Sequence, residues 1–348
     1  MDRQQWRSFL PMKFHERFPA LASRDFLIFW VGQFLSLVGT WMQATTLPYL
    51  AYRLSGRPLD LGLIGFSATL PTLFLALPGG VLVERMDKRK VVIGLQSIMM
   101  LQAFALAFLA LSGLIQIWHI VLLAFILGTA NAIEITARQS MLVELVGKPA
   151  LPNAIALQSA IFNLARVLGP SLTAVVLLLV KNQGEGWAFF INGVSFLFVI
   201  CGMFFVRTPY RTAIQGGSFK KGTLKGEFSQ GLQYIRGNAL VLAIILLASL
   251  IGFFGFPFIQ QIPALARDVL AAAGDTEALI KTRTSSLYLA QGIGALTAAL
   301  LISTFSNFRR KGLLLTFGQI VFASLLVVIS FVKTLSVALP LIAFLGWA

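Results

Sequence analysis

The chain has 348 residues, of which 57% are hydrophobic and only 12% charged, with a mean hydropathy of +0.83. A soluble domain carries roughly 25% charged residues, so there is too little polar material here to cover a water-exposed surface, and the chain belongs in a lipid bilayer. The net charge of +15 would suit a nucleic-acid binder, but no basic helix with interleaved aromatics accompanies it, and in bilayer proteins Lys and Arg gather in cytoplasmic connections.

In chain order, residues 1–24 carry charges and prolines without a compact apolar core and a cleavage site, and read as a retained cytoplasmic tail. A helix crossing the hydrocarbon core needs about twenty apolar residues. Runs of that kind predict spans at 26–52, 59–84, 90–113, 117–141, 153–180, 187–206, 239–266, 285–305 and 312–332, with a tenth beginning near 335. Threading them alternately through a membrane puts most of the 28 Lys and Arg on the face of the N-terminus, among them Arg85, Lys88, Arg89 and Lys90. That face is expected to be cytoplasmic.

The division expected is a six-helix unit at 25–206, a cytoplasmic linker at 207–238 and a second unit at 239–348. The linker centre is rich in Gly, Ser and Lys. Phe228, Leu232 and Ile235 at its end recur at helical spacing, as in a short amphipathic helix on the membrane surface. NFRRKG at 307–312 weakly echoes MDKRKV at 86–91, as parallel repeats in secondary transporters do.

Enzyme signatures are absent. His15 and His119 lie far apart, the one cysteine, Cys201, sits in an apolar run, and neither a phosphate-binding loop nor a nucleophile elbow occurs. The chain is not expected to be an enzyme or to hold a cofactor or metal. Polar residues inside spans are costly and mark function by default. In the fifth span Ser159, Asn163, Arg166, Pro170 and Thr173 form one helical stripe. Arg166 reads either as a cavity cation facing anionic substrate groups or as a structural Arg bonded to neighbouring carbonyls. In the fourth span Asn131, Glu134 and Arg138 share a face, and Glu134 with Arg138 forms either a proton site or a local clasp. In the first span Gln33, Ser36, Thr40 and Gln43 line another stripe, facing a cavity or gluing helices together.

GGVLVERMDKRK at 79–90 resembles the loop 2–3 signature of the major facilitator superfamily, Gly-x-Leu-x-Asp-Arg-x-Gly-Arg-Arg/Lys. Gly80, Leu82, Arg85, Arg89 and Lys90 match; Glu84 replaces an Asp, Asp87 a Gly and Lys88 an Arg. RDFLIFWVGQFLSLVGTWMQ, ARQSMLVELV, LPNAIALQSAIFNLARVLGPSL and FGFPFIQQIPALARDVL are similar to the enterobactin-exporter-like branch of siderophore and multidrug exporters. ARVLGPSLTA resembles the antiporter motif Gly-x-x-x-Gly-Pro-x-x-Gly-Gly through Gly169 and Pro170.

The resemblance implies an all-α polytopic fold of two rocking six-helix units, with nine complete spans and part of a tenth here against twelve in the family. It implies proton-coupled export of a small amphipathic molecule from a bacterial inner membrane by a monomer. It points the first-span stripe inward and gives the 79–90 loop a gating role, with Lys88 and its neighbours meeting helix C-termini or carboxylates such as Glu144. The chain's stop inside the tenth span implies a fragment or a truncated gene, and with the latter a non-transporting remnant or membrane scaffold.

Overall fold

The computed structural model describes residues 18–180, 183–207, 233–272, 274–304 and 311–347. Every regular element in them is helical: α1 (Arg24–Ser55), α2 (Pro58–Arg85), α3 (Lys88–Leu111), α4 (Ile117–Val146), α5 (Leu151–Leu179), α6 (Gly184–Phe205), α7 (Ala239–Gln260), α8 (Glu277–Thr304), α9 (Lys311–Ile329) and α10 (Leu335–Trp347). A short turn, Ile262–Ala264, follows α7 and passes into a π-helical turn at Leu265–Val269. The tail and most of the 207–238 linker, including Phe228 and Leu232, lie outside the described residues; residues 233–237 are helical.

α1 to α6 are each long and apolar enough to cross a membrane. At 1.5 Å per residue, the 32 residues of α1 reach about 48 Å, beyond the roughly 30 Å hydrocarbon core, so the helix projects past it or tilts. The breaks between helices follow from local chemistry. Ser23 caps α1 by accepting from the Phe26 amide at 3.4 Å, and Gly56 ends it in the left-handed region at φ 62°. Pro58 opens α2, where its missing N–H costs nothing. Asp87 caps α3 through the amides of Arg89 and Lys90, at 3.0 and 3.4 Å.

The largest differences from the sequence reading are at two boundaries. α7 stops at Gln260 rather than 266 because the chain tightens into the turn around Pro263. α8 begins at Glu277 rather than 285 because its first two turns, EALIKTRT, are polar; hydropathy reports what lies in hydrocarbon, not where the helix starts.

α1 packs on α5 and α6, α2 on α4, α3 on α4 and α6, α5 on α8, and α8 on α10. Apolar association gains little between helices already in lipid, so close backbone approach does more of the work, and small residues mark the crossings. A methyl placed on Gly128 would stand 2.7 Å from the carbonyl carbon of Ala68 on α2, and one on Gly32 2.8 Å from the carbonyl oxygen of Phe198 on α6. One buried cluster, including Phe26, Phe29, Val83, Val92, Met141 and Met203, sits at the end where α2 meets α3. A second, with Leu50, Leu61, Leu106, Ile120 and Phe189, sits at the opposite end, called the far face below. A third, with Ile262, Leu287, Tyr288, Ile329 and Ile342, joins α8, α9 and α10. Outward-facing Leu73, Phe74, Phe108 and Phe204 are exposed, as suits a surface solvated by acyl chains.

Candidate functional site

Gln33, Ser36 and Gln43 of the α1 stripe are buried, but its deep end faces neighbouring helices. Gln43, 2% exposed, donates from Nε2 to Gln102 Oε1 on α3 at 3.2 Å and accepts from Asn192 Nδ2 on α6 at 2.8 Å. Ser195 donates to the Asn192 carbonyl oxygen at 2.7 Å. Gly39 makes room for this, since a methyl there would lie 2.7 Å from Asn192 Oδ1. The geometry of Gln43 is that of polar glue, while the resemblance pointed it into a cavity. Thr40 turns back to the carbonyl of Ser36 at 2.9 Å. Gln33 differs: it is 3% exposed and its Oε1 is buried without a partner.

Glu134 on α4, 3% exposed, accepts from Gln96 Nε2 on α3 at 3.1 Å, and its second oxygen lies 3.5 Å from Arg138 Nε one turn on. A buried carboxylate needs a donor or a countercharge, and Glu134 has one of each. This is the clasp geometry. It ties α3 to α4 and does not bring Glu134 to Arg166.

Arg166 is partly buried on α5, and its Nε is sealed from solvent without a hydrogen-bond partner. Asn163 donates to the Ser159 carbonyl at 2.9 Å, and Asn131 has no hydrogen-bond partner among the described residues. One turn past Arg166, Gly169 lets α5 rest on α1: a methyl there would meet the Met42 amide nitrogen at 2.9 Å, and Thr173 donates to the Met42 carbonyl at 3.3 Å. Pro170 lies inside the same helix and is buried. On its other side α5 meets α8, where Gly292 approaches Val167 and the Arg166 carbonyl.

In the 79–90 stretch, Gly80 and Asp87 lie at the end of α2 and the cap of α3, while the side chains of Glu84 and Arg85 lie outside those described. Lys88 is ion-paired with Glu144 at the end of α4. Arg89 donates to the Phe204 carbonyl in the last turn of α6 at 3.0 Å, an orphan acceptor at the negative end of the helix dipole. Lys90 is exposed. Ser23, bonded to the Leu145 carbonyl at 2.9 Å, and Asn153, accepting from the Ala20 amide at 3.2 Å, add to the same end. All of these contacts join members of α1–α6.

The far face holds a charged group that sequence reasoning passed over. Glu185, 1% exposed in the first turn of α6, lies 2.9 Å from Arg53 on α1 and 3.9 Å from Lys281 on α8. Tyr52 donates to Asp268, and Gln261 donates to the Pro58 carbonyl at 3.3 Å. Arg267 pairs with Glu277 and Arg283 with Asp275. The Ala272 amide at 2.5 Å and the Arg283 guanidinium hold the Asp275 carboxyl below the usual carboxylate range. Among the described residues, the polar side-chain contacts between α1–α6 and α7–α8, made by Glu185, Tyr52 and Gln261, all lie at this face. In sequence Glu185 is simply an acid at a helix start, where one is expected; its partner stands 96 residues away on another helix. His119, nearby, caps α4 by accepting from the Gln116 amide at 3.1 Å. Among the described residues, no group of three or more His, Cys, Asp and Glu is placed to hold a metal ion.

Comparison with known proteins adds to this geometry. A family model described as transmembrane secretion effector matches residues 16–348. The chain is 25% identical over 257 residues to the MFS-type transporter YfiS of Bacillus subtilis, covering 73% of this chain and 56% of that one. It is 26% identical over 150 residues to the staphyloferrin A transporter of Staphylococcus aureus, covering 43% and 38%. With macrolide efflux protein A of Streptococcus pyogenes it shares 21% over 291 residues, covering 84% and 69%. The chain thus spans about half the length of the curated relatives it matches. Among solved structures, an inward-facing bacterial homologue of the lysosomal transporter Spinster superposes with a TM-score of 0.63 at 17% identity, over 93% of this chain and 73% of that one. The fold is therefore that of the major facilitators, and the chain belongs to their transmembrane secretion effector family.

Proposed function

We propose that the chain is the transporting part of a secondary exporter in a bacterial inner membrane, with its N-terminus in the cytoplasm. Two units, 25–206 and 239–348, joined by a cytoplasmic linker at 207–238, rock about a central path. A small amphipathic molecule moves outward against an inward proton flow. The substrate class is carried over from the macrolide efflux and staphyloferrin A proteins.

The observation that carries this reading is the family match over residues 16–348, together with the polar contacts between the units. They lie at the far face, while the charge cluster at 79–90 is engaged within the first unit. Two units held together on the outer side are closed to the outside, as an exporter is while it takes up its substrate from within. Arg166, with Asn163 and Asn131 beside the path, supplies a cation and amides for the substrate. Glu134, clasped by Gln96 and Arg138 in this state, is the coupling carboxylate, with Gln33 a further polar group near the path.

The test is uptake of a labelled macrolide into inside-out membrane vesicles carrying the protein, with and without a proton gradient. Glu134→Gln keeps the shape and removes the titratable group, so it abolishes the response to the gradient. Arg166→Ala weakens anionic substrates more than neutral ones. Undiminished gradient dependence in Glu134→Gln removes that residue from coupling, and unchanged selectivity in Arg166→Ala removes the cavity cation.

A further inference from the structure

Among the described acidic residues only Asp25, Glu134 and Glu185 are under a tenth exposed, and of these Glu185 alone stands where α6 meets α8. We propose that Glu185 is the latch of the outer gate, held permanently by Arg53 and releasably by Lys281. The proposal rests on the exporter reading and names the residues that keep its outer side shut.

The two cations hold Glu185 in different ways. Arg53 NH1 donates to Oε1 at 2.9 Å, a charge-assisted hydrogen bond within the first unit, so the pair travels together when the units separate. Lys281 Nζ stands 3.9 Å from the same oxygen, beyond hydrogen-bond reach, and holds it by charge alone. Its departure breaks no hydrogen bond. Nor does it leave Glu185 as an uncompensated buried charge, the costly outcome of splitting an ordinary buried pair, because Arg53 stays. Glu185 Oε2 is buried with no hydrogen-bond partner, so the latch is not saturated even when closed. Gly184 is part of the fit: a methyl there would stand 3.2 Å from Leu177 and 3.4 Å from Lys281 Nζ. Tyr52 with Asp268, and Gln261 with the Pro58 carbonyl, bridge the same face beside it.

The experiment measures the width of the outer face directly. Spin labels are placed at Ser112→Cys and Ala278→Cys, both exposed positions on the far side and outside the latch, with exposed Cys201 replaced by Ser. Distances are read by pulsed electron resonance in the reconstituted protein. The unaltered latch gives mainly a short separation. Lys281→Met and Glu185→Gln each raise the ratio of long to short separations roughly tenfold, within the range of ordinary conformational coupling. The double variant opens no further than either single one, since both remove the same contact. Gly94→Ala, where a methyl meets nothing within 4 Å, controls for general loosening and keeps the short separation. Unchanged separations in both single variants, or additive effects in the double one, overturn the latch. The readout needs no transported compound. Opening without transport therefore upholds the latch while the export reading fails, and transport with unchanged separations refutes the latch alone.

Discussion

Replacing Gln43 by Met separates the two readings of the polar stripe on α1. The side chain keeps its length and most of its volume, so no cavity opens, and two hydrogen bonds are lost at once. Gln102 Oε1 on α3 loses its donor, and Asn192 Nδ2 on α6 loses its acceptor. Gln102 Nε2 is already buried without a partner, so that side chain would be left with neither end satisfied. A stranded buried polar group costs about 1–3 kcal/mol in a protein interior. Side-chain hydrogen bonds between membrane helices average nearer 0.6 kcal/mol, with a maximum around 1.7. Two such bonds give a loss of about 1–3 kcal/mol. Unfolding in mixed micelles with increasing SDS measures it. Gln43→Met combined with Asn192→Leu should lose less than the sum of the single variants, because an apolar pair strands fewer groups. Half-saturation for a transported macrolide should stay unchanged. Wild-type stability with an altered half-saturation would place Gln43 in the substrate path and refute the glue.

Other substitutions probe the rest of the frame. Lys88→Gln strands Glu144, whose Oε2 is already buried and unpartnered, and should lower unfolding stability by about 1–2 kcal/mol, with Glu144→Gln added to it recovering part of the loss. Gly128→Val forces a side chain into the α2 backbone at Ala68 and should cost about 1–3 kcal/mol, whereas Gly94→Ala should be neutral or slightly stabilising in the same assay. The depressed Asp275 carboxyl contributes stability that is fully present above the ordinary carboxylate value of about 3.9 and is lost as pH falls through its lower folded value. Thermal melting of Asp275→Asn should accordingly fall below wild type at pH 6, and the gap should narrow as pH falls below the ordinary carboxylate value. A gap independent of pH would deny Asp275 that role.

How much of this was legible depended on the distance over which each signal acts. Hydrophobic runs report burial in lipid residue by residue, so α1 to α6 fall within a few residues of their expected bounds. The start of α8 does not, because EALIKTRT is helical without being apolar. The Lys88–Glu144 pair was foreseeable: both residues flank connections on one face, where charge must find water or a countercharge. The partners of Gln43 and Glu185 were not. Gln102 and Asn192 read as isolated amides in separate apolar runs, and Lys281 as one polar residue among several. Only the crossings of α1 with α6, set by Gly32 and Gly39, and of α5 with α8 bring them together. Periodicity put Asn131, Glu134 and Arg138 on one face of α4, but could not tell whether that face met a cavity or Gln96.

The most direct measurement is uptake of labelled macrolide and labelled staphyloferrin A into inside-out vesicles, compared with vesicles lacking the protein. An exporter accumulates at least one of them when the vesicle interior is acidified, and a protonophore collapses the accumulation. Uptake equal to that of empty vesicles, or accumulation indifferent to the protonophore, would contradict gradient-driven export.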